Sequence, residues 1–257
     1  MIDNHLDKGK IARSFLRGKE TYDQHAKVQR KVGRRLIDML GDYPAMHFDR
    51  VLEIGCCTGA MTEMFLTNHT AGRLYLNDLV PEFYETVRER FAGQASTAIE
   101  PLFGDIEQLD LPSDLDLVLS SSTFQWLADL PGFFVKIASA LKPDGYLAFT
   151  LFGPGTLSEF RQLTGVGLTY AALGDFLDLL EKSFVLEFVE TEKHRLFFTS
   201  PREVLRHLQA TGVGGAGQFR WTSKKLRAFE EEYIGRFGTA AGIPVTYVTS
   251  YVIASRR

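Results

Sequence analysis

The chain is short of nearly everything that would place it in a specialised class. Its 257 residues include two cysteines, and these are neighbours, Cys56 and Cys57. Adjacent cysteines are too close for an ordinary disulfide and lack the His/Cys spacing of a zinc site, so no metal is expected and a reducing cytoplasm is the simplest compartment. No apolar run approaches the length that spans a bilayer, and the polar start, residues 1–10, does not read as a signal peptide, which argues against a membrane role. There is no internal repeat and no low-complexity segment. A net charge of −3 lacks the basic excess of a general nucleic-acid binder. What remains, 45% hydrophobic and 24% charged, is an ordinary globular composition with enough length for one large domain or two small ones.

Against that plain background one stretch stands out, Val51-Leu-Glu-Ile-Gly-Cys-Cys-Thr-Gly-Ala-Met-Thr62. A short apolar run with one acid leads into a turn-forming segment, and a helical pattern follows from Thr58, a candidate N-cap, through Met61, Met64 and Phe65. Strand, tight turn and helix N-terminus together present backbone N–H groups and the helix dipole to a ligand. Glycine is needed where the backbone comes close to that ligand or takes positive φ. The dinucleotide fingerprint Gly-x-Gly-x-x-Gly keeps only its first glycine here, as Gly55-x-Cys57-x-x-Ala60. The acid-x-Gly-x-Gly-x-Gly loop of S-adenosylmethionine-dependent methyltransferases fits better, with Glu53, Gly55 and Gly59 in place and Cys57 at the middle glycine.

Strands are expected at 50–54, 73–77, 98–103, 115–120 and 146–152, alternating with helices at 58–68, 81–92 and 131–141, the pattern of a doubly wound parallel sheet. Lys142-Pro-Asp-Gly145 reads as a turn before the last of these strands. Before the sheet, Val28, Val32, Leu36, Met39 and Leu40 predict an amphipathic helix, while residues 1–24 show little apolar periodicity and read as a flexible lead or a lid. After Gly153-Pro-Gly155 come helices near 158–163 and at 171–182, one or two strands in 184–199, helices at 201–211 and 223–237, and a strand at 245–255. The last strands suit an antiparallel edge. The fold class is therefore α/β: a mostly parallel, seven-stranded, doubly wound sheet with an antiparallel edge and helical cap insertions. One domain is expected, with a lid and helix in 1–45, a cofactor-binding half in 46–155 and a substrate-side half in 156–257.

In such a sheet ligands bind beyond the carboxyl ends of the strands. Asp78 ends the second strand about 20 residues after the glycine loop, where a carboxylate meets ribose hydroxyls. Since NAD and S-adenosylmethionine both carry a ribose diol, Asp78 and its neighbour Leu79 do not separate them. Asp105 follows the third strand and suits an adenine, the acid accepting from the exocyclic amine while Ile106 covers the ring. With Glu53, Gly55, Gly59 and Asp78 in register, the methyltransferase reading is preferred over the dehydrogenase.

The sequence resembles the malonyl-[acyl-carrier protein] O-methyltransferases of biotin synthesis. The likeness runs along nearly the whole chain: Ser14-Phe15; Tyr22-Asp-Gln-His-Ala26 with Gln29; the 51–62 loop; Asp78; Gly104-Asp-Ile-Glu107; Phe124-Gln-Trp126; Leu141-Lys-Pro; Leu151-Phe-Gly-Pro-Gly-Thr-Leu157; Arg220; and Pro244-Val-Thr-Tyr247. Two positions depart from it, Cys57 for the usual glycine and Ser121 where asparagine commonly follows Ser120. The resemblance implies a Rossmann-like methyltransferase fold, S-adenosylmethionine as cofactor, and methyl transfer to the free carboxylate of malonyl-acyl carrier protein, or of malonyl-coenzyme A as the close variant. It also places Tyr22 near the cofactor, and adds Ser120 and Gln125 to the cofactor-binding set. Tyr22, Arg220 and Tyr247 are the candidate catalytic residues, Tyr22 facing the sulfonium through its ring and the other two orienting the substrate carboxylate. Trp126 is a further pocket candidate and Arg161 a weaker one.

Residues 1–35 carry ten cations against four acids, a net of +6. Arg30, Lys31, Arg34 and Arg35 in this segment form a candidate docking surface for an acidic carrier protein. Rival readings are a carboxyl or quinone-ring methyltransferase outside biotin synthesis, a cofactor-binding regulatory protein without turnover, and a dehydrogenase.

Overall fold

The computed structural model describes residues 7–43, 47–94, 96–212 and 221–257. Its centre is a seven-stranded sheet built from β1 (His47–Ile54), β2 (Thr70–Asn77), β3 (Ala98–Pro101), β4 (Leu115–Ser121), β5 (Leu141–Phe152), β6 (Phe184–Phe198) and β7 (Ile243–Arg256), in the order β3-β2-β1-β4-β5-β7-β6. The first five strands run parallel, and β7 pairs antiparallel with both β5 and β6. The expected antiparallel edge is thus present, with the last strand of the chain inserted one place inside the sheet. Strand order reverses between β1 and β4, which is the topological switch point where such sheets bind ligands.

Side-chain alternation along the central strands divides the core in two. Val51, Leu74, Leu76, Leu117 and Leu119 belong to one cluster, while Leu52, Ile54, Tyr75 and Val118 belong to the other. The first is covered by α3 (Lys27–Leu40) through Val28, Val32 and Leu36, and by α4 (Ala60–Asn68) through Met61 and Phe65. The second is covered by α6 (Leu130–Ala140) through Phe133, Phe134 and Ile137, and by α8 (Leu173–Leu180) through Phe176 and Leu180. The remaining helices are α1 (Lys8–Gly18), α2 (Tyr22–His25), α5 (Phe83–Arg90), α7 (Ser158–Thr164), α9 (Pro201–Ala210) and α10 (Ser223–Phe237). A 3-10 turn (Phe124–Trp126) follows β4.

Several local expectations are corrected. Lys8–Gly18 and Tyr22–His25 are helical rather than a flexible lead, and beside Ile11 the small Ser14 and Gly18 make up the buried face of α1. Ser14 Oγ donates to the Gly212 carbonyl (3.2 Å), and a Cβ on Gly18 would lie 2.6 Å from the Ala210 carbonyl oxygen. A face of small residues packed on α9 leaves no hydrophobic period to read. Helix α4 begins at Ala60, with Gly59 rather than Thr58 at its N-cap. β5 already starts at Leu141, so the Lys142–Gly145 turn survives as an irregularity in which Asp144 takes φ 61°.

The basic patch on α3 is largely consumed in structural pairs. Arg35 donates to Glu190 (2.8 Å) and Glu192 (2.7 Å) of β6, Lys31 lies 3.7 Å from Glu192, and Arg30 donates to the Asp23 carbonyl (2.8 Å). These contacts fasten the helix across the edge strand. The half-exposed Arg35 pairs are screened by water and salt, so each contributes little beyond register.

Candidate active site

A cleft of about 680 Å³ lies over the carboxyl ends of β1, β2 and β4. Its floor is the loop after β1. Gly55 has φ 79°, and a Cβ there would sit 2.1 Å from Thr123 Oγ1, so no side chain fits. Gly59 has φ 80° and would bring a Cβ to 2.8 Å from the Phe91 ring. Between them Cys57 is also left-handed, at φ 50°. Three residues of one short loop therefore need a backbone that L side chains disfavour, and only two are glycine.

Asp78 closes the end of β2. Its Oδ2 accepts from Cys57 N–H (2.8 Å) and its Oδ1 from Val80 N–H (2.9 Å). Burial still raises its pKa to about 6, because those N–H bonds only partly offset the lost hydration. Glu53 is more extreme: burial pushes it to about 7, Thr62 Oγ1 donates to its Oε2 (2.6 Å), and its Oε1 has no partner. Glu53 lies behind the loop, against α4, and does not line the cleft. Asp105 differs again, since Lys8 Nζ of α1 donates to both its oxygens (2.6 and 2.5 Å) and also pairs with Glu107.

Helices α1 and α2 form the roof. Lys8, Ile11, Phe15 and Tyr22 all face the cleft, with Phe15 stacked edge-on to Trp126 at 5.8 Å. Two polar clasps hold this roof down. One is the Lys8 pairing with Asp105 and Glu107. In the other, Thr58 Oγ1 donates to Asp23 Oδ1 (2.6 Å), while Arg90 reaches Asp23 Oδ2 (3.2 Å) and the Thr58 carbonyl (2.6 Å). Burial raises the Tyr22 pKa well above its ordinary value, so the phenol is neutral at physiological pH. On the far side of Tyr22 a recess of about 490 Å³ continues toward Gln29 and Met61.

Tyr22, Gly55, Cys57, Asp78, Leu79, Asp105 and Ile106 thus come together around one cleft. The other expected site residues fall elsewhere. Gly59 lines neither the cleft nor the recess and serves the turn into α4. Ser120 is fully buried and its Oγ donates to the Ile54 carbonyl (3.0 Å), tying β4 to β1. Gln125 faces a second cavity rather than this cleft. Tyr247 is buried in the core, hydrogen-bonded to His207 Nε2 (2.7 Å) and against Phe152. His207 itself is held neutral, since burial lowers its pKa to about 4. Arg220 lies outside the described residues.

Among the described residues no group of His, Cys, Asp and Glu could hold a metal ion, and no helix is long and apolar enough to cross a membrane. Both cysteines are free thiols.

A methyltransferase domain family matches residues 52–149, the span from the glycine loop to β5. A malonyl-[acyl-carrier protein] O-methyltransferase from Prosthecochloris aestuarii is 39% identical over 96% of this chain and 92% of its own length. One from Acinetobacter baylyi is 35% identical over 98% of both. The chain belongs to the malonyl-[acyl-carrier protein] O-methyltransferase family. Its enzyme class, a methyltransferase that uses S-adenosylmethionine, is the one the glycine loop and strand-end acids pointed to. Solved structures share the fold alone: the YcgJ protein from Bacillus subtilis (TM-score 0.62, 13% identity, 86% of this chain and 97% of that one) and the N-methyltransferase NodS from Bradyrhizobium japonicum in complex with S-adenosyl-L-homocysteine (TM-score 0.53, 16% identity, 88% and 86%).

For this methyltransferase, the polar side chains beyond the expected set that line the cleft are Lys8, Asn77 and Ser121 to Thr123. Ser121 to Thr123 follow the fourth strand at its carboxyl end, so the strand-end rule contained the signal for them; Lys8 had none. Two buried polar atoms, Ser122 Oγ in the cleft and Gln29 Oε1 in the recess, have no hydrogen-bond partner. Orphaned acceptors and donors at these places fit a polar ligand such as S-adenosylmethionine.

The left-handed Cys57 carries a conformational cost of roughly 1–2 kcal/mol that glycine would not, while glycine adds about 0.5–1 kcal/mol of unfolded-state entropy. Cys57→Gly is therefore expected to leave stability unchanged or raise it by up to about 1 kcal/mol. Cys57→Val, β-branched at the same φ, is expected to lower it. Urea midpoints of the two variants check this; a Gly variant less stable than the Val variant contradicts the strain argument.

Proposed function

We propose that this chain methylates the free carboxylate of a malonyl thioester carried on acyl carrier protein, using S-adenosylmethionine, and that the ester primes the pimeloyl chain of biotin synthesis. The observation that carries the reading is the similarity over nearly the full length of the chain and of relatives bearing that activity in their names. In this reading 46–155 is the cofactor half and 156–257 the substrate side of a single domain, roofed by 1–45.

The chemistry asks little of the protein in the way of proton transfer. A carboxylate with pKa near about 4 is already ionised at neutral pH and needs no general base. The residues act by holding it in line with the reacting methyl, an effect worth roughly 7–11 kcal/mol of a barrier. S-adenosylmethionine, when bound, supplies the electrophilic methyl. Asp78 takes the ribose hydroxyls, Asp105 the adenine amine, and Leu79 and Ile106 the faces of the ring. Gly55 and Cys57 bring backbone close to the amino-acid end, with Glu53, Gly59 and Ser120 supporting the loop from behind. The Tyr22 ring faces the sulfonium, and as part of the roof it helps exclude water. Gln125 lies one residue from the cleft-lining Trp126 and faces the second cavity, outside this assignment. Arg220 and Tyr247 remain the candidates for orienting the carboxylate, Tyr247 after a change in its His207 contact.

The acidic partner is best met by α1. Lys10, Arg13 and Arg17 share its outward face and none has an ion pair among the described residues, while the opposite face of the same helix lines the cleft. Carrier protein docked there would sit at the entrance.

Three measurements test this function. With methyl-labelled cofactor, label is expected on malonyl-carrier protein and not on acetyl-carrier protein, which has no free carboxylate; equal labelling of both, or of neither, rejects the reading.

Binding of S-adenosylhomocysteine is expected to weaken as pH falls through about 6, by about tenfold at pH 5, because the charged form of Asp78 is the acceptor for both hydroxyls. Stability of the free protein carries the opposite sign. A carboxyl whose folded pKa is raised binds more protons folded than unfolded, so burial of Asp78 lowers stability as pH rises from about 4 to about 6. Calorimetric titration across pH, with Asp78→Asn as the variant that removes the dependence, separates the two; a flat profile for the native chain overturns the assignment.

Reversal of Arg13 and Arg17 to Glu is expected to lower kcat/KM for malonyl-carrier protein several-fold at low salt, with the loss shrinking as salt screens the charges. Malonyl-coenzyme A turnover, if present, should change less. Equal loss with both substrates, or none, moves docking away from α1.

A further inference from the structure

A second cavity lies beyond the 3-10 turn that follows β4, between that turn with the start of α6 and helix α8, with about 1380 Å³ of open volume. The function proposed above assigns it nothing. The turn acts as a partition. Trp126 faces the cofactor cleft, Gln125 faces the second cavity, and Leu127 lines both.

The walls alternate in character. The floor is apolar and buried, made by Phe124, Leu127, Phe152 and Phe176. The mouth is polar and exposed, with Thr169, Asp175, Asp178 and Lys182; Lys182 has no ion pair among the described residues. One polar side chain of the inner wall is left partly unsatisfied. Gln125 Nε2 donates to the Ser122 carbonyl (2.7 Å), which fixes the amide orientation, since the flipped amide would set oxygen against oxygen. Its Oε1 is then buried without a partner. Such an acceptor lacks one thing, a donor N–H.

We infer that this cavity receives the pantetheine arm of the acyl thioester, with Gln125 Oε1 accepting an amide N–H of the arm. The inference rests on the function proposed above, because only a carrier-bound or coenzyme-bound acyl group brings such an arm. The arm is a slender chain of amides, methylenes and geminal methyls ending in a phosphate. The amides and methylenes match an apolar floor with one acceptor; at the mouth Lys182 stands with Asp175 and Asp178, so the match lies in the floor and not in the charge of the mouth. The lip is also tied to the cleft side of α1: Glu107 accepts from the backbone N–H of Ala128 (3.1 Å), a lip residue, and pairs with Lys8.

The test uses the full chain and two variants, Ala171→Trp, which narrows the cavity, and Gln125→Met, which removes the acceptor at similar volume. Substrates are malonyl-carrier protein and the malonyl thioester of ethanethiol, a truncated thioester with no amide N–H. Each variant is expected to raise KM for malonyl-carrier protein by tenfold or more, to leave the truncated substrate within about twofold, and to bind S-adenosylhomocysteine like the native chain. Unchanged KM for malonyl-carrier protein in either soluble, folded variant overturns the inference. So does a parallel loss on both substrates or of cofactor affinity, which would make the cavity part of the cofactor site. A native chain that labels no malonyl thioester at all instead rejects the function, and the two failures are thereby distinct.

Discussion

The whole site depends on one close approach. At the switch point of the sheet, the backbone of Gly55 passes so near Thr123 that a single added carbon would lie 2.1 Å from the hydroxyl oxygen. Thr123 and Ser120 both donate to the Ile54 carbonyl, so the ends of β1 and β4 are stitched together by side chains where the ladder stops. That stitching fixes the height of the glycine loop. It also fixes where Asp78 can accept the Cys57 N–H, and how far the Ser121 to Thr123 segment projects into the cleft. Everything a ligand meets on the floor follows from two strand ends held in contact.

The electrostatics follow the same geometry. Three acids stand at neighbouring strand ends, and each is treated differently. Glu53 faces the core and is pushed up to about 7, Asp78 is held by backbone N–H groups and rises to about 6, and Asp105 is paired with a lysine from the roof. Uncompensated negative charge is therefore concentrated at Asp78, among the described residues the one acid that is both buried and open to the cleft. A positively charged ligand is favoured there, and a second carboxylate is not.

The central strands and the cofactor face were legible in the sequence because their signals are local. Alternating apolar runs name the central strands, and glycine at 55 and 59 marks positions where the backbone admits little else. What it hid were choices made across the fold. α1 buries Ser14 and Gly18 against another helix, a face with no hydrophobic period. Lys8 gains its partners 97 and 99 residues away. A strand end is easily located, but which neighbour faces the ligand depends on where regular pairing stops, so Ser120 turned inward while Ser121 to Thr123 lined the cleft. Tyr247 sits on a strand whose insertion between β5 and β6 is a matter of topology, and its burial beside His207 could not be seen along the chain.

The roof over the cleft is fastened by charge and hydroxyl contacts at both ends and by the apolar faces of Ile11 and Phe15 between them. Dissolved ions weaken the partly exposed pairs directly and leave the apolar contacts in place. Salt therefore loosens the ends of the roof before its middle.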